Sequence, residues 1–326
     1  MTKINELDSK ILHDLLLDGR KSFAALAREF GTTKNKVWKH YRSLVKKGIV
    51  TGATTQMDFA SFGYETIATL LISVEAQQID QATEFIGKII EVLAFRQYYS
   101  FYNIRAFVSL RSLNELDQVK QAIKRKLPNA FLKTYVWTDV RNIPENLDLP
   151  RIMSMKNQNK PSFLEKLDNK LLENHMDDVD KQILEKLTIN GRASFTKIAK
   201  EIGTSTDTIV KRYHKLREKG AIRVSIQINP KKIGYNSLLD FNIAFTALEG
   251  SPETVIESLA RIPDVVIITK TSGDYDLQLT ALAKDTVQSF AIQDKISKTL
   301  GVTKMEVSAR RIPEKWPTPR QCISSF

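Results

Sequence analysis

A single repeat fixes most of what this chain can become. Ser22 to Val50 reads SFAALAREFGTTKNKVWKHYRSLVKKGIV, and Ser194 to Ile222 reads SFTKIAKEIGTSTDTIVKRYHKLREKGAI. The two align without a gap, pairing Ser22 with Ser194, Phe23 with Phe195, Gly31 with Gly203, Lys39 with Lys211, Tyr41 with Tyr213, Leu44 with Leu216 and Gly48 with Gly220. A repeat this long is a duplicated structural unit, so whatever the first copy folds into, the second must accommodate as well.

Each copy reads as a helix, a tight turn at Gly31 or Gly203, and a second helix: a helix-turn-helix. Val37, Tyr41 and Leu44 fall at the i, i+4, i+7 spacing of a buried stripe. Trp38, Tyr41 and Tyr213 are each more often core than function, and Tyr41 and Tyr213 are placed in the core. The opposite face carries Lys34, Asn35, Lys36, Lys39 and His40, donors placed where a helix in a DNA major groove presents its side chains. In the second copy Thr206, Asp207, Thr208, Lys211, Arg212 and Lys215 take those places. A solvated charged face would look similar in an isolated basic helix. The glycine turn, the preceding helix and the second copy favour DNA. Upstream, Leu7, Ile11 and Leu15, flanked by Leu12 and Leu16, predict a first helix with Asp8 and Asp14 on its polar side, stopped by Gly19. Val179, Ile183 and Leu187 repeat that stripe, giving three-helix heads over residues 1–52 and 175–224.

After each head the texture changes. Val50 to Met57 and Thr66 to Val74 read as strands. A helix with the stripe Phe85, Ile86, Ile89, Ile90 and Leu93 follows, then strands from Phe95 to Ser100 and Ile104 to Leu110, a helix through Leu116, Val119, Ile123 and Leu127, and a strand from Phe131 to Val140. The second half repeats the order, with strands at Arg223 to Ile228, Leu238 to Ala247, Val265 to Lys270, Tyr275 to Ala283 and Val302 to Val307. Its helices run from Pro252 to Ala260 and through Val287, Phe290, Ala291, Ile292 and Ile296. The order β-α-β-β-α-β is ferredoxin-like, so the fold class is α+β, with such domains at 53–148 and 225–326. Residues 149–174 form a polar linker, whose Phe163, Leu164, Leu167 and Leu171 suit a short amphipathic helix.

The net charge of +12 favours a polyanionic partner, nucleic acid before an acidic membrane. Cys322 is the only cysteine, so no intramolecular disulfide and no cysteine-based metal site are expected. Met1 is followed by polar residues rather than an apolar leader, and no run of about 18 apolar residues could span a bilayer; the expected location is the cytoplasm. No nucleophilic triad, paired-carboxylate site, phosphate-binding loop or metal cluster is visible, and neither catalysis, a cofactor nor a metal is expected.

Leu7-Asp8 with Ile11-Leu12, Asp18-Gly19-Arg20, the helix-turn-helix, Gly48-Ile49-Val50 and above all Ser272-Gly273-Asp274-Tyr275-Asp276 resemble the Lrp/AsnC family of feast/famine transcription regulators. The resemblance covers nearly the whole chain, twice over. It implies, in each half, a winged helix-turn-helix joined to a ferredoxin-like ligand-sensing (RAM) domain. An ordinary member carries one such unit and dimerises, so two units in one chain imply an internal pseudo-dimer with two unlike DNA-reading heads, which itself assembles into a homo-oligomer. Arg20, Lys46 and Lys47, with Arg192, Arg217 and Lys219, are expected on the DNA backbone. In the family the Gly-x-x-Asp loop lines an amino-acid site; Gly273, Asp274 and Asp276 are its candidates here, although the same residues would serve a plain hairpin turn. The first half, aligned on Ser100, has Phe101, Tyr102, Asn103 and Ile104 instead. Siroheme decarboxylases share this duplicated outline and give the alternative reading. They need basic residues in the C-terminal domains, where this chain offers Arg96, Arg105 and Arg111 but no histidine.

Overall fold

A computed structural model describes residues 4–98, 100–147, 177–246 and 252–318. The linker 149–174, with its expected short helix, lies outside them, as do His175 and Cys322.

The first half runs α1 (Glu6–Leu17), α2 (Phe23–Glu29), α3 (Lys34–Lys46), β1 (Val50–Met57), β2 (Thr66–Ser73), α4 (Ile79–Ile86), β3 (Val92–Gln97), β4 (Ile104–Leu110), α5 (Leu113–Lys126) and β5 (Phe131–Asn142). The second runs α6 (Asp178–Ile189), α7 (Phe195–Ile202), α8 (Thr206–Glu218), β6 (Ile222–Ile228), β7 (Ser237–Phe245), α9 (Pro252–Ala260), β8 (Val265–Ser272), β9 (Leu277–Ala283), α10 (Thr286–Ser297) and β10 (Val302–Arg311). Each α-helix and strand of the first half thus has its counterpart in the second, in the same order. Side-chain oxygens cap corresponding helices in the same way: Ser22 and Ser194 accept from the third residue of α2 and α7, Thr33 and Ser205 from that of α3 and α8.

The chain divides into two compact units that cut across the halves. The first gathers both heads: the described residues to Ser61, those from 177 to Tyr235, and those from Pro313 on. In it β1 pairs antiparallel with β6, Val50 opposite Ile228 and Met57 opposite Ile222. The expected boundaries at 52/53 and 224/225 thus fall inside two strands that belong with the heads, because each strand finds its hydrogen-bonding partner in the other copy. α1 packs on β6 and α6 on β1, so each head's first helix rests on the other head's strand. Trp316, buried, bridges to Ile228 at the ribbon's edge.

The second unit holds residues 62–147 and 236–312 in one antiparallel sheet of order β10-β7-β9-β8-β5-β2-β4-β3. Each half contributes the ferredoxin-like order. α4 and α5 bury Ala82, Ile86, Leu116, Val119 and Ile123 against β2 and β4. α9 and α10 bury Val255, Ile256, Leu259, Ile292 and Ile296 against the second set. β5 outlasts β2 and carries on along β8, Val136 opposite Ser272 and Asn142 opposite Ile267, whereas β10 pairs with β7 alone. Among the described residues the pseudo-symmetry is broken there.

Some element ends differ from the periodicity reading. α4 stops at Ile86, leaving Ile90 exposed and Leu93 in β3, which begins three residues earlier than expected. Gly87 ends the helix under the Phe95 ring, where a Cβ would lie 3.0 Å from a ring carbon. Val287 and Phe290 of α10 face outward, and Asp8, expected on the polar side of α1, is buried. Asp8 and Asn5 cap one another, and His40 Nδ1 lies 2.8 Å from Asp8 Oδ1.

Candidate nucleic-acid interface and effector loop

Val37 and Leu44 anchor α3, and Ile209 and Tyr213 anchor α8, which turns the intervening residues outward. On α3, Lys34, Asn35, Lys36, Lys39 and Lys46 are exposed, as is Lys47 at its end. On α8, Asp207, Lys211 and Lys215 are exposed, while Thr206 and Thr208 are half-buried, the Thr208 hydroxyl lying 2.9 Å from that of Ser205. The first helix therefore offers Lys34, Lys36, Lys39 and Lys46 with the amide of Asn35 to a groove; the second offers Lys211 and Lys215, preceded by the acid Asp207.

His40 and Arg212 occupy equivalent positions but tether rather than project. His40 meets Asp8 of α1, and Arg212 Nη1 lies 2.6 Å from Asp177 Oδ2 and 3.0 Å from Asp180 Oδ1. Hydrogen bonds to Asp180 and then Asp177 raise the Arg212 pKa further. Trp38, an aromatic of a type more often core than function, is 43% exposed, with the Arg42 guanidinium 5.1 Å from its ring. Helical spacing of four puts Lys34, Trp38 and Arg42 on one side of α3, so that pair joins the candidate surface and was legible in the wheel.

Arg20 and Arg192, expected on DNA phosphates, are placed elsewhere. Arg20 Nη1 donates to the carbonyls of Gly191 (2.7 Å) and Ala193 (3.0 Å), with its guanidinium 4.0 Å from the Phe195 ring centre. Arg192 Nη1 donates to the Gly19 carbonyl at 2.5 Å and lies over Phe23. Burial lowers the Arg20 pKa and raises those of Tyr41 and Tyr213. Gly19 N–H donates to Val224 O at 2.7 Å and Gly191 N–H to Ala53 O at 2.8 Å. A Cβ on Gly19 would sit 2.7 Å from the Ser225 carbonyl carbon, and one on Gly191 3.0 Å from the Thr54 backbone. The Gly-Arg pairs are a reciprocal clasp between heads. Arg217 belongs to it, 2.7 Å from Asp18 Oδ2, while Lys219 is half-buried.

The effector loop sits in the sheet unit. Gly273 packs on Tyr135, where a Cβ would lie 2.7 Å from a ring carbon. Asp274 pairs with Lys133 at 2.6 Å, and that hydrogen bond lowers its pKa. Asp276 accepts from Phe245 N at 3.0 Å; in the first half Asn103 accepts from Val74 N at 3.1 Å. The loop alignment on Ser100 is thus one residue out of register. Tyr98 N–H to Asn103 O and Thr271 N–H to Asp276 O close the same turn, which sets Ser100, Phe101 and Asn103 against Gly273, Asp274 and Asp276. Sequence could not show this, because the ladders and not the serines fix the register.

An AsnC-type helix-turn-helix domain matches residues 176–217, and a winged helix-turn-helix DNA-binding domain matches residues 4–51. The HTH-type transcriptional regulator LrpA of Pyrococcus horikoshii is 35% identical over 135 residues, 40% of this chain and 92% of that protein. Another HTH-type transcriptional regulator, of Pyrococcus furiosus, is 32% identical over 128 residues, 39% of this chain and 83% of its own. The solved siroheme decarboxylase NirDL covers 97% of this chain and 94% of its own with a TM-score of 0.61 at 18% identity, a likeness of fold.

Proposed function

The chain belongs to the Lrp/AsnC family of DNA-binding transcriptional regulators, and from that premise we propose that it reads an asymmetric operator through two unlike heads held in one rigid frame. The carrying observation is the contrast between the exposed Lys34, Asn35, Lys36, Lys39, Lys46 and Lys47 of the first head and Asp207, Lys211 and Lys215 of the second. Lysines favour phosphates and guanine edges, whereas Asp207 repels phosphate and can accept from cytosine N4. Thr206 and Thr208 complete the second reading face. The clasp and the shared β1–β6 ribbon support a fixed half-site spacing, of roughly one helical turn of about 10 base pairs or a multiple.

Selection of binding sites from random duplex DNA should return two dissimilar half-sites at constant spacing. Perfect palindromes, or half-sites at variable spacing, would overturn this reading. In the same picture an amino-acid effector binds at Gly273, its ammonium taking Asp274 from Lys133 while Asp276 holds the strand; amino acids that shift operator affinity in a gel-shift assay, and lose that effect in Asp274→Ala, would support it. Assembly of pseudo-dimers into a homo-oligomer and a cytoplasmic location follow the family plan.

The whole-chain likeness to a siroheme decarboxylase sustains a second reading. Against it, no histidine occurs between residues 53 and 148 or from 225 on, and a visible spectrum of added siroheme that stays constant on incubation would dismiss it.

A further inference from the structure

The duplicated sheet lets one end of the molecule serve as a control for the other. Thr69 stands opposite Phe107 and Leu71 opposite Arg105, while Asp240 stands opposite Thr280 and Asn242 opposite Gln278. Thr69 and Asp240 are therefore equivalent positions, as are Arg105 and Gln278. Val136 faces Ala68 and Ala309 faces Leu239, which makes the following residues, Trp137 and Arg310, equivalent too.

At the first end the contacts are neutral and matched. Trp137 Nε1 donates to Thr69 Oγ1 at 2.7 Å, Thr69 Oγ1 donates to Gln278 Oε1 at 3.0 Å, and Gln278 Nε2 donates to Asn242 Oδ1 at 3.2 Å. Packing of the two halves is thus satisfied there without charge.

The second end carries charge in excess. Asp240, buried, accepts from Arg310 Nε at 2.7 Å, Tyr98 Oη at 2.7 Å and Thr280 Oγ1 at 2.6 Å. Arg105 is 5% exposed, lies 4.8 Å from the Tyr98 ring, and its buried Nε has no hydrogen-bond partner. Arg96 is an electrostatic neighbour of both Arg310 and Asp240; its Nη1 donates to the Phe95 carbonyl. Asp240 is the one carboxylate paired with these guanidinium groups among the described residues, so three cations face one anion. Unbalanced buried charge is unfavourable, and the equivalent end shows that the fold does not require it. Arg96 and Arg310 are partly open to solvent, which leaves a way in.

We propose that Arg96, Arg105 and Arg310 form a binding site for a small organic dicarboxylate, separate from the Gly273 loop. The planar guanidinium fork matches a carboxylate in two hydrogen bonds, and two carboxylates would balance the two excess charges. Inorganic phosphate shares the chemistry and is the competing source of oxyanion. This inference is independent of how the heads read DNA.

Isothermal titration of the full chain with succinate, 2-oxoglutarate and inorganic phosphate, in buffer free of other oxyanions, tests it. Saturable binding of at least one dicarboxylate is expected, weakened roughly tenfold or more, the scale of one lost charge-assisted hydrogen bond, by Arg105→Gln. That substitution installs the residue found at the neutral end. Arg96→Gln, nearer the surface, should weaken binding likewise and guards against misfolding of the Arg105 variant. Tighter binding of the dicarboxylates than of phosphate supports the organic acid. Binding of phosphate alone, absence of saturable binding in the millimolar range, or affinity unchanged in both variants would overturn the site.

Discussion

The arginines of this protein look alike in sequence and differ in what they touch. Arg20 fits a backbone-contacting cation by its place beside a head, yet its partners are two carbonyls about 170 positions away, at Gly191 and Ala193. Spacing within one copy carries no trace of that. What could have pointed to it is that Gly-Arg recurs as Gly191-Arg192, since a reciprocal contact between copies demands the same residues in both. Arg20→Ala should therefore lower stability by about 2 kcal/mol, the scale of charged hydrogen bonds lost, and leave the salt dependence of DNA binding nearly unchanged. Lys39→Ala should do the reverse, leaving the urea midpoint in place while reducing the salt slope by about 1. Urea melts and gel shifts across a salt series distinguish the two, and a reduced slope in the Arg20 variant would return that residue to the DNA surface.

Elements were the most legible scale. Both β-α-β-β-α-β orders could be read because strands alternating with striped helices leave little choice of class, and the caps at Ser22 and Ser194 repeat visibly. What the pattern did not show was partnership: β1 looks like the first strand of the domain that follows it, while its mate is β6. A strand's apolar pattern says that it is buried and not against which strand. Pairing across copies makes a claim about fragments. Residues 1–147 alone would expose β1 and the underside of α1, and should recover them by pairing two copies through β1. Sedimentation should find that fragment as a dimer dissociating on dilution, whereas in the full chain the pairing of β1 with β6 should survive dilution, since the linker makes that pairing intramolecular. A fragment that stays monomeric and folded at all concentrations would show that each head completes itself. Close approach within the ribbon adds a second test. Gly191→Ala places a Cβ 2.8 Å from Val224 and 3.0 Å from the Thr54 backbone, and should cost roughly 1–3 kcal/mol in chemical denaturation.

Over the whole molecule, two positionally equivalent ends carry different chemistry, Thr69 at one and Asp240 at the other, and the consequence for stability is a dependence on acid that the Asp240 end supplies and the Thr69 end does not. Burial alone would raise the pKa of Asp240, but Arg310 and Arg105, with hydrogen bonds from Thr280 and Tyr98, hold it down to about 2. Tyr98, desolvated and beside that carboxylate, is pushed up to about 12 and stays neutral. The folded pKa of Asp240 lies below the ordinary aspartate value of about 3.9, so its contribution is fully present above pH about 4 and is lost as pH falls towards about 2. A depression of this size corresponds to about 2–3 kcal/mol at neutral pH. At the equivalent position Thr69 does not titrate, so the effect belongs to one end of the sheet. Asp240→Asn should be destabilised at pH 7 by about 3–5 kcal/mol, because it strands buried guanidinium groups, and its deficit against the parent chain should shrink as pH falls from about 4 to about 2. Urea midpoints of both proteins across that range measure the difference directly; a deficit constant with pH would mean that Asp240 contributes through shape and hydrogen bonding alone, and that the charge at this end is not what the second half was remodelled to hold.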